Sequence, residues 1–140
     1  MMKKVLMIVG SMREKSFNMQ LARLAADLLR EKAEVSFLNY ADIPYMNQDV
    51  EFPTPEEILR VRDEVSKTDG IWIFTPEYNY SYPGVLKNLL DWLSRPVRKG
   101  APRTETAIAG KKVTISGVGG KNATASVRAK LKELLQFMQA

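Results

Sequence analysis

Two residue types are absent from this sequence, and their absence limits the chemistry that its side chains can perform. The 140 residues include neither cysteine nor histidine. Without cysteine there is no disulfide and no thiolate metal site. Without histidine the chain lacks the commonest metal ligand and the usual general base. Any catalysis must therefore use other side chains, the main chain or a bound cofactor, and no metal site is predicted.

Long apolar segments are also missing. The run Val5–Gly10 follows two lysines, as in a signal peptide, but it is too short for the hydrophobic part of one. Charged residues follow almost at once, at Arg13, Glu14 and Lys15. No stretch approaches the length that spans a bilayer. The sequence therefore favours a cytoplasmic protein with no membrane partner.

The charge of the chain is moderately positive. A formal net charge of +5 would suit an anionic ligand or a nucleic acid. Lysine and arginine are scattered, however, and the densest group is Arg95, Arg98, Lys99 and Arg103. Basic residues interleaved with aromatic ones, as in proteins that bind single strands, do not occur. Nucleic acid is therefore not an expected partner.

Short apolar runs alternate with stretches of helical periodicity, and the length suits a single domain covering residues 1–140. The pattern predicts strands over residues 4–9, 34–38, 71–75 and 111–116. The third run is apolar at nearly every position, which is typical of a strand buried on both faces. Strict alternation of strand and helix predicts an α/β protein with a doubly wound parallel sheet and right-handed crossovers.

Four helices are predicted between and after these strands. Ser16 is the candidate N-cap of the first helix, and Thr54-Pro55-Glu56-Glu57 reads as a capping box at the start of the second. The third helix is expected to begin near Pro83. The apolar positions that define the helices are Phe17, Leu21, Leu24, Ala25, Leu28 and Leu29; Ile58, Val61 and Val65; Leu86, Leu89, Leu90 and Leu93; and Val127, Leu131, Leu134, Leu135 and Met138.

The segment after the first strand has the composition of a phosphate site. Gly10 permits a tight turn, and the N–H groups at the start of the next helix attract anions. Hydroxyl, guanidinium and amide donors follow at Ser11, Ser16, Arg13 and Asn18. The spacing matches neither the P-loop nor the dinucleotide fingerprint. The alternative interpretation is ordinary turn chemistry, with Ser16 as a helix cap.

Two further segments follow strands of the same predicted sheet edge. The turn Pro76–Asn79 could offer main-chain groups to the polar edge of a heterocycle, while Tyr78 or Tyr80 shields one face. The segment Ser116–Gly120 permits close main-chain approach because its glycines have no side chain. The alternatives are a proline-rich connection with packed tyrosines and a plain flexible turn. Taken together, the three segments predict one ligand with a phosphate end and a flat ring.

These segments resemble the motifs of the NADPH-dependent FMN reductases of flavodoxin-like fold, a family that includes flavin, quinone, azo-dye and chromate reductases. The resemblance rests on Gly10-Ser11-x-Arg13-x-x-Ser16-x-Asn18, on the run from Pro76 to Trp92, and on the glycines after the fourth strand. It implies a flavodoxin-like, three-layer α/β/α domain, with four strands in this chain.

The resemblance also implies the cofactors and their ligands, namely FMN with NADPH or NADH as hydride donor. The residues implied to hold the FMN phosphate are Ser11, Arg13, Ser16 and Asn18. Those implied to line the isoalloxazine ring, largely through main-chain groups, are Pro76, Glu77, Tyr78 and Asn79. Those implied to close its other side are Ser116, Gly119 and Gly120. No catalytic side chain is predicted, because the cofactor carries the chemistry.

The implied function is an FMN-dependent oxidoreductase that passes hydride from NAD(P)H through FMN to a small acceptor such as a quinone, a flavin or an azo compound. Family members are commonly homodimers or homotetramers, and the helix at Pro83–Trp92 is a candidate contact surface. The alternatives are a non-enzymatic electron carrier like flavodoxin, or a truncated flavin-binding protein with weak activity. Truncation is considered because family members usually continue into a fifth strand and a final helix, which would leave the fourth strand here as an unprotected edge.

Overall fold

The four predicted strands are all present, each end within one residue of its predicted position. The computed structural model describes residues 1–140, with strands β1 (Lys3–Val9), β2 (Ala33–Phe37), β3 (Gly70–Phe74) and β4 (Lys112–Ser116). The helices are α1 (Phe17–Leu29), α2 (Glu56–Ser66), α3 (Gly84–Leu93) and α4 (Ala125–Phe137), with a short 3₁₀ helix at Gln48–Val50. None of the helices combines the length and the apolar character needed to cross a bilayer.

The strands form one parallel sheet in the order β2-β1-β3-β4. Val9, Phe74 and Ser116 pair across β1, β3 and β4, so these three adjacent strands end at the same level. The chain leaves β1 toward β2 on one side and leaves β3 toward β4 on the other. The switch point between β1 and β3 is the place where open α/β sheets bind their ligands.

Helices cover both faces of the sheet, which confirms the predicted three layers. Alternate residues of β1 point to opposite faces: Leu6 and Ile8 join the large cluster formed with α2, α3 and α4, whereas Met7 and Val9 pack toward α1. Residues of β1 are buried on both sides, as expected of a parallel sheet. Packing on both faces therefore holds the sheet rigid, and with it the starting points of the loops at its carboxyl edge.

Helix α1 packs through only part of the apolar stripe that identifies it in the sequence. Its buried residues are Asn18, Ala22 and Ala25, and Leu21 and Leu29 are partly buried against the same cluster. By contrast, Phe17 is 62% exposed and Leu28 is 72% exposed. Periodicity therefore located the helix and about half of its packed positions.

The capping box predicted for α2 is wrong. The helix begins at Glu56, and Pro55, with an extended backbone at φ −55° and ψ 144°, occupies the N-cap position. The Thr54 hydroxyl donates to the carbonyl oxygen of Glu51 at 2.9 Å, and no helical N–H donates to it. The main-chain oxygen of Pro55 accepts from the first available helical N–H groups. The motif predicted the start of the helix to within one residue, but the predicted capping side chain, Thr54, does not cap it.

Strand β4 pairs with β3 alone, as expected from the sequence. Its other edge presents main-chain groups without a strand partner. The helix that follows, α4, buries Val127, Leu131 and Leu135 against the large cluster.

A buried arginine of α2 faces α3. Arg62 is 5% exposed, and its Nε and Nη1 atoms have no hydrogen-bond partner. Its Nη2 donates weakly to the main-chain oxygen of Trp92 at 3.4 Å. The nearby carboxylate of Glu51 is already engaged by Arg95, which binds it through Nε at 2.8 Å and Nη2 at 2.9 Å. Burial accordingly lowers the pKa of Arg62.

Replacing this arginine should stabilise the protein. We expect Arg62→Met to raise the free energy of unfolding by about 1 kcal/mol, because it removes unpaired buried donors and keeps an unbranched side chain in the same space. Urea denaturation measures the change. Glu51→Gln is the matched contrast and should be destabilising, since it breaks the two-point pair with Arg95. If Arg62→Met lowered the free energy of unfolding as much as Glu51→Gln does, Arg62 would not be an unpaired, destabilising charge.

Candidate functional site

The predicted site residues all lie on three connections at the carboxyl edge of the sheet, or directly beside them. We name these the β1 loop (residues 10–16), the β3 loop (residues 75–83) and the β4 loop (residues 117–124). The main chain joins their starting points, since the Gly10 N–H donates to Phe74 O at 2.7 Å and the Thr75 N–H donates to Ser116 O at 3.0 Å. The three segments predicted to share a ligand are therefore neighbours.

Main-chain donors are left unpaired where the β1 loop leads into the first turn of α1. Ser16 is the N-cap predicted from the sequence, and its Oγ accepts from Met19 N–H at 3.3 Å. Ser11 Oγ accepts from Arg13 N–H at 3.3 Å, which turns the loop back on itself. The main-chain N–H groups of Phe17 and Asn18 donate no hydrogen bond within the chain. Unpaired donors in the first helical turn favour an anion there.

Arg13 is the cation placed beside these donors. Its side chain is exposed and makes no ion pair, and its Cζ lies 5.4 Å from the centroid of the Phe17 ring. Stacking on a ring orients the guanidinium without consuming its N–H donors. Arg13 is therefore available to a phosphate.

Asn18 is placed differently from the other three predicted phosphate residues. It is 3% exposed, and both ends of its amide bond the main chain of Val118 in the β4 loop. The Nδ2 donates to Val118 O at 3.1 Å, and Oδ1 accepts from Val118 N–H at 2.9 Å. The side chain of Asn18 thus joins α1 to the β4 loop, and its own main-chain N–H is the group left for an anion.

The β3 loop contains a tight two-residue turn. Tyr78 and Ser81 exchange two main-chain hydrogen bonds of 3.0 Å each, and the residues between them, Asn79 and Tyr80, have positive φ of 51° and 61°. Both central residues of a type I′ turn require this conformation, which asparagine tolerates better than tyrosine. Tyr78 and Tyr80 are exposed. The turn therefore displays aromatic surface and main-chain groups at the switch point.

Glu77 directs its carboxylate toward the N-terminus of α4. Oε1 accepts from Val127 N–H and Oε2 accepts from Asn122 Nδ2, both at 2.7 Å. These hydrogen bonds, with that of Asn122 the largest contribution, lower the pKa of Glu77 below its usual range. Because the N-terminus of α4 already holds this carboxylate, the N-terminus of α1 is the better place for a phosphate.

The β4 loop is shaped by its first glycine. A Cβ added at Gly117 would lie 2.5 Å from Thr75 O, whereas one added at Gly120 would meet no atom within 4 Å. At Gly119 it would lie 3.1 Å from the Thr124 methyl group. Ser116, at the end of β4, accepts from Trp72 Nε1 at 2.9 Å. Close approach between the β3 and β4 loops thus depends on Gly117, which the sequence reasoning did not single out.

The second half of the long sequence motif serves the fold. Asn88 accepts from Met46 N–H at 2.8 Å and donates to Pro44 O at 3.0 Å, and Trp92 Nε1 donates to the same oxygen at 2.8 Å. These contacts hold residues 44–46 against α3. The role was missed because the sequence gives no sign of which distant segment an amide or indole will bind.

The donor set suits FMN better than a metal ion. No cluster of three or more acidic or other metal-ligating side chains occurs in the structure. Main-chain N–H groups and Arg13 suit a phosphate monoester, and exposed tyrosines beside a glycine-lined loop suit a flat ring. The residues present at the three loops therefore fit a mononucleotide.

Comparison with known proteins agrees with this geometry. The family of NADPH-dependent FMN reductases matches residues 3–140. The quinone reductase of Escherichia coli K12 is 37% identical over 147 residues, covering 98% of this chain and 71% of its own length. A 2-hydroxy-1,4-benzoquinone reductase from a Burkholderia species is 43% identical over 93 residues, covering 66% of this chain. The chain spans about half, 51%, of that relative's length.

A solved structure shows the same arrangement of strands and helices. The flavoenzyme NAD(P)H:(acceptor) oxidoreductase FerB from Paracoccus denitrificans superposes with a TM-score of 0.88 at 34% identity, covering 97% of this chain and 72% of that one. Fold, sequence and the chemistry of the three loops point to one assignment. This chain belongs to the NADPH-dependent FMN reductase family, the flavodoxin-like oxidoreductases that use FMN and NAD(P)H.

Proposed function

We propose that this chain binds FMN across the switch point, with the phosphate at the β1 loop and the isoalloxazine ring between the β3 and β4 loops. The observation that carries this proposal is the alignment of the three loops on adjacent strands, with unpaired N–H groups beside Arg13 at one end. In this arrangement Ser11, Arg13 and Ser16 surround the phosphate. The ring is lined by Pro76, Tyr78 and Asn79 on one side and by Ser116, Gly119 and Gly120 on the other.

Bound FMN would supply the chemistry, accepting hydride from NAD(P)H and delivering it to an acceptor. The chain's own residues bind and orient. Arg13 and the N–H groups of Phe17 and Asn18 hold the anionic end, and the fixed turn at Tyr78–Ser81 orients the ring through main-chain groups. The exposed tyrosines exclude water from the ring. No side chain is assigned a proton transfer, because the nearest carboxylate, Glu77, is engaged by α4.

The acceptor we propose is a small molecule such as a quinone, a flavin or an azo compound. Support comes from the names of the relatives, which include quinone reductases. We further propose that the protein works in the cytoplasm, where NAD(P)H is available, as a homodimer or homotetramer. The exposed aromatic groups of the β3 loop and the adjoining helix α3 are the surface we assign to subunit contact.

Absorption spectroscopy tests the proposal. Purified protein, reconstituted with FMN if colourless, should show the two visible bands of oxidised flavin. Anaerobic NADPH should bleach these bands, and a quinone added next should restore them with turnover. Bleaching by a reduced partner protein but not by NAD(P)H would indicate an electron carrier. Failure to take up FMN would overturn the proposed function.

A further inference from the structure

The β4 loop has few restraints of its own. Three of its first four residues are glycines, and Ala123 and Thr124 at its end have positive φ of 48° and 60°. Thr124 occupies the N-cap position of α4 without a side-chain cap. Val118 is exposed and contributes nothing to either core cluster. A segment of this composition keeps one conformation only if other parts of the chain hold it.

Arg128 of α4 donates to Thr124 Oγ1 and Ala123 O at the end of the loop, and two side chains from other parts of the site hold the rest of it. Asn18, in the first turn of α1, makes a two-point amide contact with the main chain of Val118. Glu77, in the β3 loop, accepts from Val127 N–H and from Asn122 Nδ2, and so provides the N-terminal cap of α4 that Thr124 does not. Asn18 thus joins the β4 loop to the first turn of α1, directly after the β1 loop, and Glu77 joins the β4 loop and the start of α4 to the β3 loop.

We propose that Asn18 and Glu77 are positioning residues, which hold the β4 loop at a fixed distance from the β1 and β3 loops and so preset the width of the ring site. The expected effect on flavin binding rests on the proposed function, whereas the hydrogen bonds that hold the loop do not depend on it. It assigns Asn18 a role other than phosphate ligand and Glu77 a role other than ring ligand. A loop ordered before the ligand arrives avoids the ordering cost on binding.

The two roles predict different patterns of flavin affinity. Riboflavin has the ring of FMN but no phosphate. Loss of a phosphate ligand should weaken FMN alone, whereas loss of a positioning residue should weaken FMN and riboflavin by the same factor. We expect Asn18→Ala and Glu77→Ala each to raise both dissociation constants about tenfold, as measured by quenching of flavin fluorescence.

Controls separate positioning from general destabilisation. Ala25→Gly lowers the stability of the same helix, α1, without touching any loop, and it should leave both affinities unchanged. Glu77→Gln keeps an acceptor for Val127 N–H. This conservative variant should recover part of the affinity that Glu77→Ala loses. Glu77 is half-exposed, so its variants test the inference even if a variant of the buried Asn18 fails to fold.

Hydrogen exchange on flavin-free protein tests the restraint directly. The Val118 amide should exchange faster in Asn18→Ala, and the Val127 amide should exchange faster in Glu77→Ala. In Ala25→Gly both amides should exchange at the wild-type rate, once the lower global stability of that variant is taken into account. A selective loss of FMN affinity in Asn18→Ala, or unchanged exchange and affinity in both alanine variants, would overturn the inference. If the wild-type protein bound neither flavin, the proposed function would fail while the exchange result still decided whether the loop is held.

Discussion

The substitution Gly117→Ala is expected to lower the free energy of unfolding by about 2 kcal/mol and to weaken FMN binding. The added Cβ would lie 2.5 Å from Thr75 O and would also meet the buried side chain of Thr124. Neither neighbour can move freely, because Thr75 starts the β3 loop and Thr124 leads into α4. The β3 and β4 loops would have to separate, and the proposed ring site lies between them.

Urea denaturation and flavin titration measure the two effects. Gly120→Ala is the matched control, since it makes the same substitution in the same loop where no atom lies within 4 Å. We expect its stability to stay within about 0.5 kcal/mol of the wild-type value. A Gly117→Ala protein as stable as the Gly120→Ala protein would show that the loops do not approach as closely as described.

Arg13→Ala should raise the dissociation constant for FMN about 10- to 100-fold, which corresponds to the loss of a charge-assisted hydrogen bond to phosphate. Arg13 is suited to this role because its guanidinium is exposed, unpaired and held over the Phe17 ring. Riboflavin affinity should not change, because that ligand carries no phosphate. The response thus differs from the parallel losses expected of Asn18→Ala.

Lys15→Ala provides the control for Arg13, since it removes the same charge from an exposed position of the same loop. Its effect on FMN affinity should be small and should fade as salt is added, because it acts by long-range attraction alone. If Arg13→Ala and Lys15→Ala lost the same amount of FMN affinity, Arg13 would act only by long-range attraction and not by direct contact with the phosphate. An unchanged affinity in Arg13→Ala would remove it from the site.

The sequence was sufficient to predict the sheet and its order of elements. Buried parallel strands are apolar at nearly every position, so β1 and β3 are visible as runs such as Gly70–Phe74. Periodicity located α1, but the face it packs depends on how closely the helix approaches the sheet, which small residues such as Ala22 and Ala25 decide. Thr54 shows the same limit, because the helix begins one residue later than the motif predicts and Pro55 occupies the N-cap position.

The sequence was sufficient to predict which loops lie together, but not which groups their side chains contact. Parallel strands end at one edge, so residues after β1, β3 and β4 had to lie together. The partners of Asn18 and Glu77 lie 100 and 45 to 50 positions away along the chain, at Val118, Asn122 and Val127. No local pattern specifies contacts of that range. The demand for glycine at position 117 likewise arises from the distant Thr75 and Thr124.

The turn at Tyr78–Ser81 gives the proposed ring site two unequal walls. Two reciprocal main-chain bonds close that turn on itself, so this wall keeps its shape from short-range contacts alone. The opposite wall, formed by the glycines of the β4 loop, keeps its shape through contacts with Asn18 of α1 and Glu77 of the β3 loop. Loss of the Asn18 contact would therefore displace the glycine wall, while the tyrosine wall stayed intact.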